Sequence, residues 1–161
     1  MPGRFLRSRD LNFFDTVNKE LIGDPKSKKN GVINQEVVLY KISTYETQPN
    51  LYGESSSGRV YKNGIKLACI IEAADFDYEI TEFGPDLNQD GTFSFLRQSL
   101  IDVDFVPEIG DVIEWNYAYW EINEIQENQL IGGMKENNHA VICSAYLSEQ
   151  SRVSLERVRA Y

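Results

Sequence analysis

The sequence predicts a mainly β protein: a small β-barrel or sandwich of about six strands, with one N-terminal helix and long loops. Three observations favour this class. One segment has apolar residues at helical spacing, several later segments alternate apolar and polar residues, and turn-forming residues separate those segments. The 161 residues suit a single domain, residues 1–161, that needs no disulfide for its core. We expect residues 1–10 and 148–161 to be extended arms.

The helix is predicted in "RDLNFFDTVNKELIGDP", where Asp10 can cap its start and Gly23 and Pro25 end it. Its apolar face consists of Leu11, Phe14, Val17 and Leu21. A helix of about three turns does not persist alone in water. We therefore expect this face to pack on its own domain or on a neighbouring protein.

Alternation of apolar and polar residues predicts the strands. They are expected within 36–45, 65–73, 92–105, 111–115, 119–125 and 140–147, with a bulge or bend near the middle of 92–105. "KSKKNG" is expected to be a polar loop, and 46–58 and 129–138 are long connections. A tight turn at Asn116–Ala118 joins two of the strands into a hairpin.

The hairpin carries four aromatic residues, Trp115, Tyr117, Tyr119 and Trp120, and alternation cannot bury all of them on one face. We expect the two tryptophans in the core, at positions where Trp115 and Trp120 lie near each other across the hairpin. The two tyrosines are then left near the surface, where aromatic side chains suit docking of a partner protein.

Charge is unevenly distributed. Residues 1–30 hold seven Lys/Arg and four Asp/Glu, residues 31–147 hold six and nineteen, and residues 148–161 hold three and two. Because affinity for phosphate comes from Lys and Arg, an acidic body argues against nucleic-acid binding. The simplest interpretation of the acidic body is a solvated surface that aids solubility, as an alternative to a functional role for the charge.

"DLNQDG", Asp86–Gly91, matches the opening of an EF-hand loop, but Arg97 occupies the position that requires a bidentate Glu. We expect an ordinary turn there, with a calcium-binding β module as an alternative. The acidic residues of Asp75–Asp86 leave a carbohydrate-active enzyme open as another alternative. Catalytic and nucleotide-binding motifs are missing from the sequence, so the chain is not expected to be an enzyme or to need a cofactor.

Cys69 and Cys143 lie in apolar runs without the paired Cys/His spacing of a zinc site, and we expect both to be buried hydrophobic residues. The start of the chain lacks the apolar region of a secretory signal, and the sequence has no long apolar run that would span a membrane. The expected product is intracellular, with no membrane partner.

Four motifs in order, "LYGES", "EFGPD", "PEIGDVIEWN" and "ENQLIGG", follow an N-terminal "FFDTVNKELIGD". Together they resemble the neck proteins of contractile-tailed bacteriophages, in particular those of marine phages, over roughly residues 12–147. The "GD-strand-turn-Y-W-E-I" hairpin is also similar to that of small connector β-barrels.

The resemblance implies a structural virion protein, made in the host bacterial cytoplasm and located in the neck between capsid and tail. It implies a homo-oligomeric ring, usually of six copies, that contacts the portal-bound adaptor and a tail terminator or other tail protein. DNA passes through such a ring without specific binding. A tail-terminator or tail-completion ring is the nearest alternative.

Within this interpretation, the basic ends and exposed aromatic residues are expected to dock on partners or on the next copy: Arg4, Phe5, Arg7, Arg9, Tyr52, Glu54, Tyr117, Tyr119, Arg152, Arg157 and Arg159. A channel lined by carboxylates would repel DNA phosphates. The residues expected to face it are Asp75, Asp77, Glu79, Glu82, Asp86 and Asp90, with the Pro49–Gly58 connection as another segment that could face the channel or gate it.

Overall fold

A computed structural model describes residues 7–26, 29–43, 47, 59–75, 77–81, 84–127 and 138–148. In chain order the elements are α1 (Ser8–Ile22), β1 (Gly23–Asp24), β2 (Lys29–Asn30), β3 (Glu36–Tyr40), β4 (Ile65–Ala68), β5 (Ile70–Ala73), β6 (Asp77–Thr81), β7 (Gly84–Asn88), β8 (Asp90–Leu96), α2 (Arg97–Asp102), β9 (Val112–Trp115), β10 (Ala118–Gln126) and β11 (Ala140–Ser148).

Seven strands form one antiparallel sheet in the order β4-β3-β9-β10-β11-β8-β5. The prediction of a mainly β fold with an N-terminal helix is confirmed, although the hydrogen-bonded order is open and is not a closed barrel. Its first and last strands, β4 and β5, are consecutive in the chain and separated only by Cys69. Because the two ends of the strand order meet at one residue, the sheet must curl round on itself.

The core fills the inside of this curl. Alternation along the strands places one side chain in two on the inner face. The inner residues that are almost fully buried include Val37, Leu39, Leu67, Cys69, Phe93, Phe95, Ile113, Trp120, Ile122, Val141, Cys143 and Ala145. The burial expected for the two cysteines is therefore confirmed, and the core contains both of them as small apolar residues.

The segment 92–105 differs from its prediction. β8 ends at Leu96, and α2 follows from Arg97 to Asp102 where a bent continuation of the strand was expected. The even spacing of Ile101, Val103 and Phe105 suggested a strand, but Ile101 is 59% exposed. Burial of Leu96 and Leu100, four residues apart, shows that the packing follows a helical period at this point.

Two small ladders lie outside the main sheet. β1 pairs with β2, which lies inside the segment expected to be a polar loop, and β6 pairs with β7 in a hairpin. The β6–β7 hairpin spans the acidic region for which no strand was predicted. "DLNQDG" was expected to be a turn, and this is wrong: it runs from β7 into β8 with only Gln89 between the two strands. Asp86–Asn88 pair with β6, and Asp90 and Gly91 lie on β8 between β5 and β11. These two sets of pairings keep the segment extended.

Candidate assembly surfaces

The β9–β10 hairpin packs its two tryptophans in the core. The ring centroids of Trp115 and Trp120 lie 5.8 Å apart, and that of Phe93 lies 6.3 Å and 5.7 Å from them in edge-on geometry. Trp120 is 2% exposed, and Trp115 is partly buried against the same cluster. The predicted core role of both tryptophans is confirmed.

Tyr119 does not lie at the surface, so the prediction that both tyrosines are exposed is wrong for this residue. It is 5% exposed and packs with Val112, Tyr40 and Tyr61. Neighbouring strand residues point to opposite faces, so Tyr119 faces away from Trp120. That face is covered by the segment carrying Tyr61, which pairs with Ile42 outside the sheet. Alternation within the hairpin could not show that this second face is covered.

Tyr117 is 82% exposed at the tip of the hairpin. The tip is a two-residue turn in which Asn116 and Tyr117 have φ values of 50° and 63°, the left-handed geometry of a type I′ turn. Glycine is the residue usually found at the second of these positions. Holding a non-glycine residue there costs roughly 1–2 kcal/mol. An exposed aromatic residue therefore occupies a position where it lowers the stability of the isolated chain.

Three features lie at the same end of the sheet. Tyr119, two residues from the hairpin tip, is the register partner of Ser148, where β11 ends. Tyr146 pairs with Asp90 at the start of β8. The amide of Ala74 donates to the carbonyl of Asp90 at 2.9 Å and so holds the base of the β6–β7 hairpin there. The exposed Tyr117, the end of β11 and the β6–β7 hairpin are thus neighbours. We call this hairpin, together with the flanking Asp75 and Asp90, the acidic hairpin.

The acidic residues predicted to face a channel cluster around this hairpin. Asp75, Asp77 and Asp90 are exposed. Glu79 and Asp86 are register partners in the β6–β7 ladder, which places two acidic residues opposite each other. Like charges directly opposite in a ladder are destabilising. The sixth residue, Glu82, lies outside the described residues.

The loop from Val103 to Asp111 displays two exposed apolar residues, Val106 at 68% and Ile109 at 69%. We call this pair the loop patch. Its surroundings are acidic, since Asp104 and Glu108 are also exposed. The sequence pattern did not predict this surface. The only local signal is the placement of apolar residues among Pro107, Gly110 and acids, where a solvated loop would be polar.

Asp111, which is 0% exposed, holds this loop against the end of β3. Its carboxylate accepts hydrogen bonds from the Ile42 amide at 3.0 Å, the Glu108 amide at 2.8 Å and the Lys41 ammonium at 3.1 Å. Lys41 also donates to the Val106 carbonyl at 2.7 Å. A buried charge requires such partners. The Gly-Asp pair before β9 therefore fixes the loop patch in place.

Helix α1 packs little on the rest of the molecule. Ile22 is its one buried residue, while Phe13, Phe14 and Leu21 are 65%, 49% and 43% exposed. The rings of Phe13 and Phe14 meet edge to face with centroids 6.4 Å apart, and we call them the aromatic pair. Arg7 and Arg9, predicted to dock on a partner, are exposed at the same end of the helix. The predicted N-terminal arm overlaps α1 from Ser8 onward.

One ion pair joins α1 to α2. Lys19 donates to Asp102 at 2.9 Å, and the carboxylate of Asp102 is 8% exposed. The hydrogen bond from Lys19 holds the pKa of Asp102 below its ordinary value of 3.8. Partial burial lowers the pKa of Lys19, but its bonds to Asp102 and Asp24 outweigh this effect, and the net shift is upward.

Several predicted docking residues lie outside the described residues. They are Arg4, Phe5, Tyr52, Glu54, Arg152, Arg157 and Arg159, and the Pro49–Gly58 connection lies there as well. The described part of the predicted docking set is therefore Arg7, Arg9, Tyr117 and the buried Tyr119.

The described side chains offer little reactive chemistry. Burial raises the pKa of both Cys69 and Cys143 to about 12, so neither thiol is a nucleophile at neutral pH. Within the described ranges, no three His, Cys, Asp or Glu side chains are grouped to hold a metal ion. None of the helices that the structure describes has the length and apolar character to cross a membrane.

Comparison with known proteins finds likeness in structure alone. No family model matches the chain, and no curated protein matches it. A solved structure described as the virion of a native gene transfer agent particle contains a chain that is similar over 70% of this chain and 92% of its own length. The identity is 14% and the TM-score is 0.48. A likeness of this degree identifies neither a family nor a function.

Proposed function

We propose that this chain is a structural virion protein of a phage neck. In this proposal, six copies form a ring that binds the portal-bound adaptor, closes the DNA-filled head and gives the tail a docking surface. The proposed identity comes from the resemblance of four ordered sequence motifs to neck proteins. The described surfaces support it physically, because they combine exposed apolar residues with an acidic body.

The exposed Tyr117 is the observation that carries the docking role. A large aromatic side chain at the tip of a rigid two-residue turn, 82% exposed and in left-handed geometry, has no stabilising role in the isolated chain. Strained residues are retained where the strain serves a function. Tyrosine is among the residues enriched in interfaces because it offers contact area at little cost in side-chain entropy. We assign Tyr117 to the contact with the adaptor or the tail.

The acidic hairpin suits the channel side of the ring. Asp75, Asp77 and Asp90 are exposed, and Glu79 opposes Asp86 in the ladder despite the cost of that pairing. A wall of carboxylates repels DNA phosphates, so DNA passes without being held. The parts of the two predicted arms that lie beyond α1 and β11 would contact the next copy or the adaptor.

A particle assay tests the neck role. Virus lacking this protein should accumulate filled heads and free tails that do not join, and the wild-type chain supplied in trans should restore joining. A density map of the intact particle should place the chain between head and tail. Normal joining of heads to tails without the protein would refute the proposal. Density for this chain found only at the end of the tail tube would favour a tail-terminator ring.

The channel role has its own test. Replacing Asp75, Asp77 and Asp90 together by Asn should leave joining intact but slow DNA release, because three repulsive charges per copy are lost. The matched control replaces two exposed acids away from the hairpin, Glu124 and Glu127, by Gln. Release kinetics that are equal in the acidic-hairpin variant and the wild type would remove the hairpin from the channel wall.

A further inference from the structure

We infer that the aromatic pair of α1 in one copy binds the loop patch of the next copy, so that a second copy of this chain covers both surfaces. This inference rests on the proposed ring and identifies the contact that would build it. A closed ring of identical subunits needs two different surfaces that complement each other. Among the exposed apolar side chains of the described residues, Phe13 with Phe14 and Val106 with Ile109 form two different surfaces of this kind.

The two surfaces have opposite charge at their borders. Arg7 and Arg9 are exposed beside the aromatic pair, and although Asp10 pairs with Arg9 at 3.3 Å, residues 7–10 keep a net positive charge. Asp104 and Glu108 are exposed around the loop patch. Lys41 pairs with Glu108 and with the buried Asp111, and these three acids with one lysine leave a net negative charge there. Apolar centres with charged borders of opposite sign give both affinity and a single orientation. Association of two copies through like surfaces would instead bring like charges together.

The loop patch is rigid before any partner arrives. Besides the bonds of Asp111 and Lys41, the Phe105 amide donates to Leu100 at 3.0 Å and the Gly110 amide donates to Ile122 at 2.9 Å. A surface that is already ordered loses little entropy on binding. Val106 and Ile109 therefore act as fixed contact points for a partner side chain.

Helix α1 is held to the body by few contacts, since Ile22 is its one buried residue and the Lys19–Asp102 ion pair joins it to α2. A helix of 15 residues is marginal in water unless an apolar face packs on another surface. Contact with the loop patch of a neighbour supplies that packing. The same contact covers four apolar side chains that the isolated chain leaves in water.

Mixing two variants tests the contact. The helix variant carries Phe13→Ser and Phe14→Ser, and the patch variant carries Val106→Ser and Ile109→Ser. Each should bind itself at least about a hundredfold more weakly than the wild type, because two buried apolar side chains are lost from the contact. Mixed together, they should form a one-to-one pair that grows no further, because one intact helix meets one intact patch. Sedimentation velocity measures the self-association of each variant. Native mass measurement, with one variant isotopically labelled, shows whether the mixture contains a one-to-one pair.

Controls keep the outcome interpretable. All four side chains are at least 49% exposed, so thermal unfolding followed by circular dichroism should be unchanged in both variants. Val32→Ser removes a more exposed apolar residue, 81% exposed and outside both surfaces, and should leave self-association as in the wild type.

Three results would overturn the inference: self-association of the variants at wild-type strength, failure of the mixed variants to pair, or a wild-type chain that stays monomeric up to its solubility limit. Self-association at wild-type strength in both variants would refute this contact but would still be compatible with the proposed ring. Failure of the particle assay would remove the neck role and leave the contact standing as plain self-association.

Discussion

At the scale of single residues, Asp111 is the polar group on which the loop patch depends. It is fully buried and satisfies two backbone amides and the Lys41 ammonium. Asp111→Ala leaves two amides without their acceptor, while Lys41 keeps the Val106 carbonyl and Glu108 as partners. Because each buried amide left without an acceptor costs about 1–3 kcal/mol, we expect a loss of about 2–6 kcal/mol in the free energy of unfolding. Urea denaturation measures it. The control is Glu108→Gln, which removes the exposed partner of the same lysine and should cost at most about 1 kcal/mol. A loss in Asp111→Ala as small as in the control would contradict this role.

Tyr117 gives a second prediction at this scale. Tyr117→Gly relieves the left-handed strain at the hairpin tip, so the free energy of unfolding should rise by roughly 1 kcal/mol. If Tyr117 docks on a partner, the same variant should join heads to tails poorly in the particle assay. Tyr117→Asn is the matched control, since asparagine tolerates this geometry but offers no aromatic surface. Full joining activity in both variants would show that Tyr117 is not a docking residue.

At the scale of elements, the position of α1 depends on its ion pair with α2. The pKa of Asp102 is lower in the folded chain than its ordinary value of 3.8, because Lys19 donates to it. The stabilisation is therefore present above that ordinary value and is lost as pH falls through the lower, folded-state pKa. Asp102→Asn should reduce stability near neutral pH and approach the wild type in acid.

Unfolding measured by denaturant at a series of acid pH values checks this dependence, and hydrogen exchange of the α1 amides shows whether the helix loosens. The control is Asp10→Asn, whose partner Arg9 is 84% exposed, and it should change stability little at any pH. A constant difference between Asp102→Asn and the wild type across the acid range would contradict the assignment.

The register of the β6–β7 hairpin sets two acidic positions opposite each other. Glu79 and Asp86 are register partners, and replacing Asp86 by Lys makes them an opposite-charge pair. We expect the hairpin to gain about 0.2–1 kcal/mol of local stability, seen as slower hydrogen exchange of its ladder amides. Asp77→Lys, whose register partner Asn88 is uncharged, serves as the control and should change exchange less. Equal protection in both variants would show that the opposed acids cost nothing.

At the scale of the whole molecule, the sequence predicted the strands of the main sheet better than it predicted its surfaces. Apolar alternation located β3, β9, β10 and β11, because one face of each is buried. It failed after Leu96, where packing of Leu100 on the core overrides the even spacing of Ile101 and Phe105. The burial of Tyr119 and the exposure of the loop patch depend on contacts between distant segments, which local pattern does not contain.

The curled sheet makes one last prediction, which concerns how the molecule unfolds. β4 and β5 stand at opposite ends of the strand order yet meet at Cys69, whose amide donates to Gln35 at 2.9 Å. Cys69→Pro removes this donor at the fully buried junction of β4 and β5 and should cost at least about 3 kcal/mol. Cys69→Ala keeps the amide and should cost much less.

Trp115 and Trp120 report whether this damage spreads, because they lie on β9 and β10 in the middle of the strand order. If the curl is a single cooperative unit, their fluorescence and the far-UV circular dichroism should shift together in Cys69→Pro, with coincident transitions. The shared core cluster, which joins Cys69 to Trp120, is the physical reason for this coupling. A dichroism transition that moves while the tryptophan fluorescence transition stays at its wild-type midpoint would mean that the ends of the sheet unfold on their own.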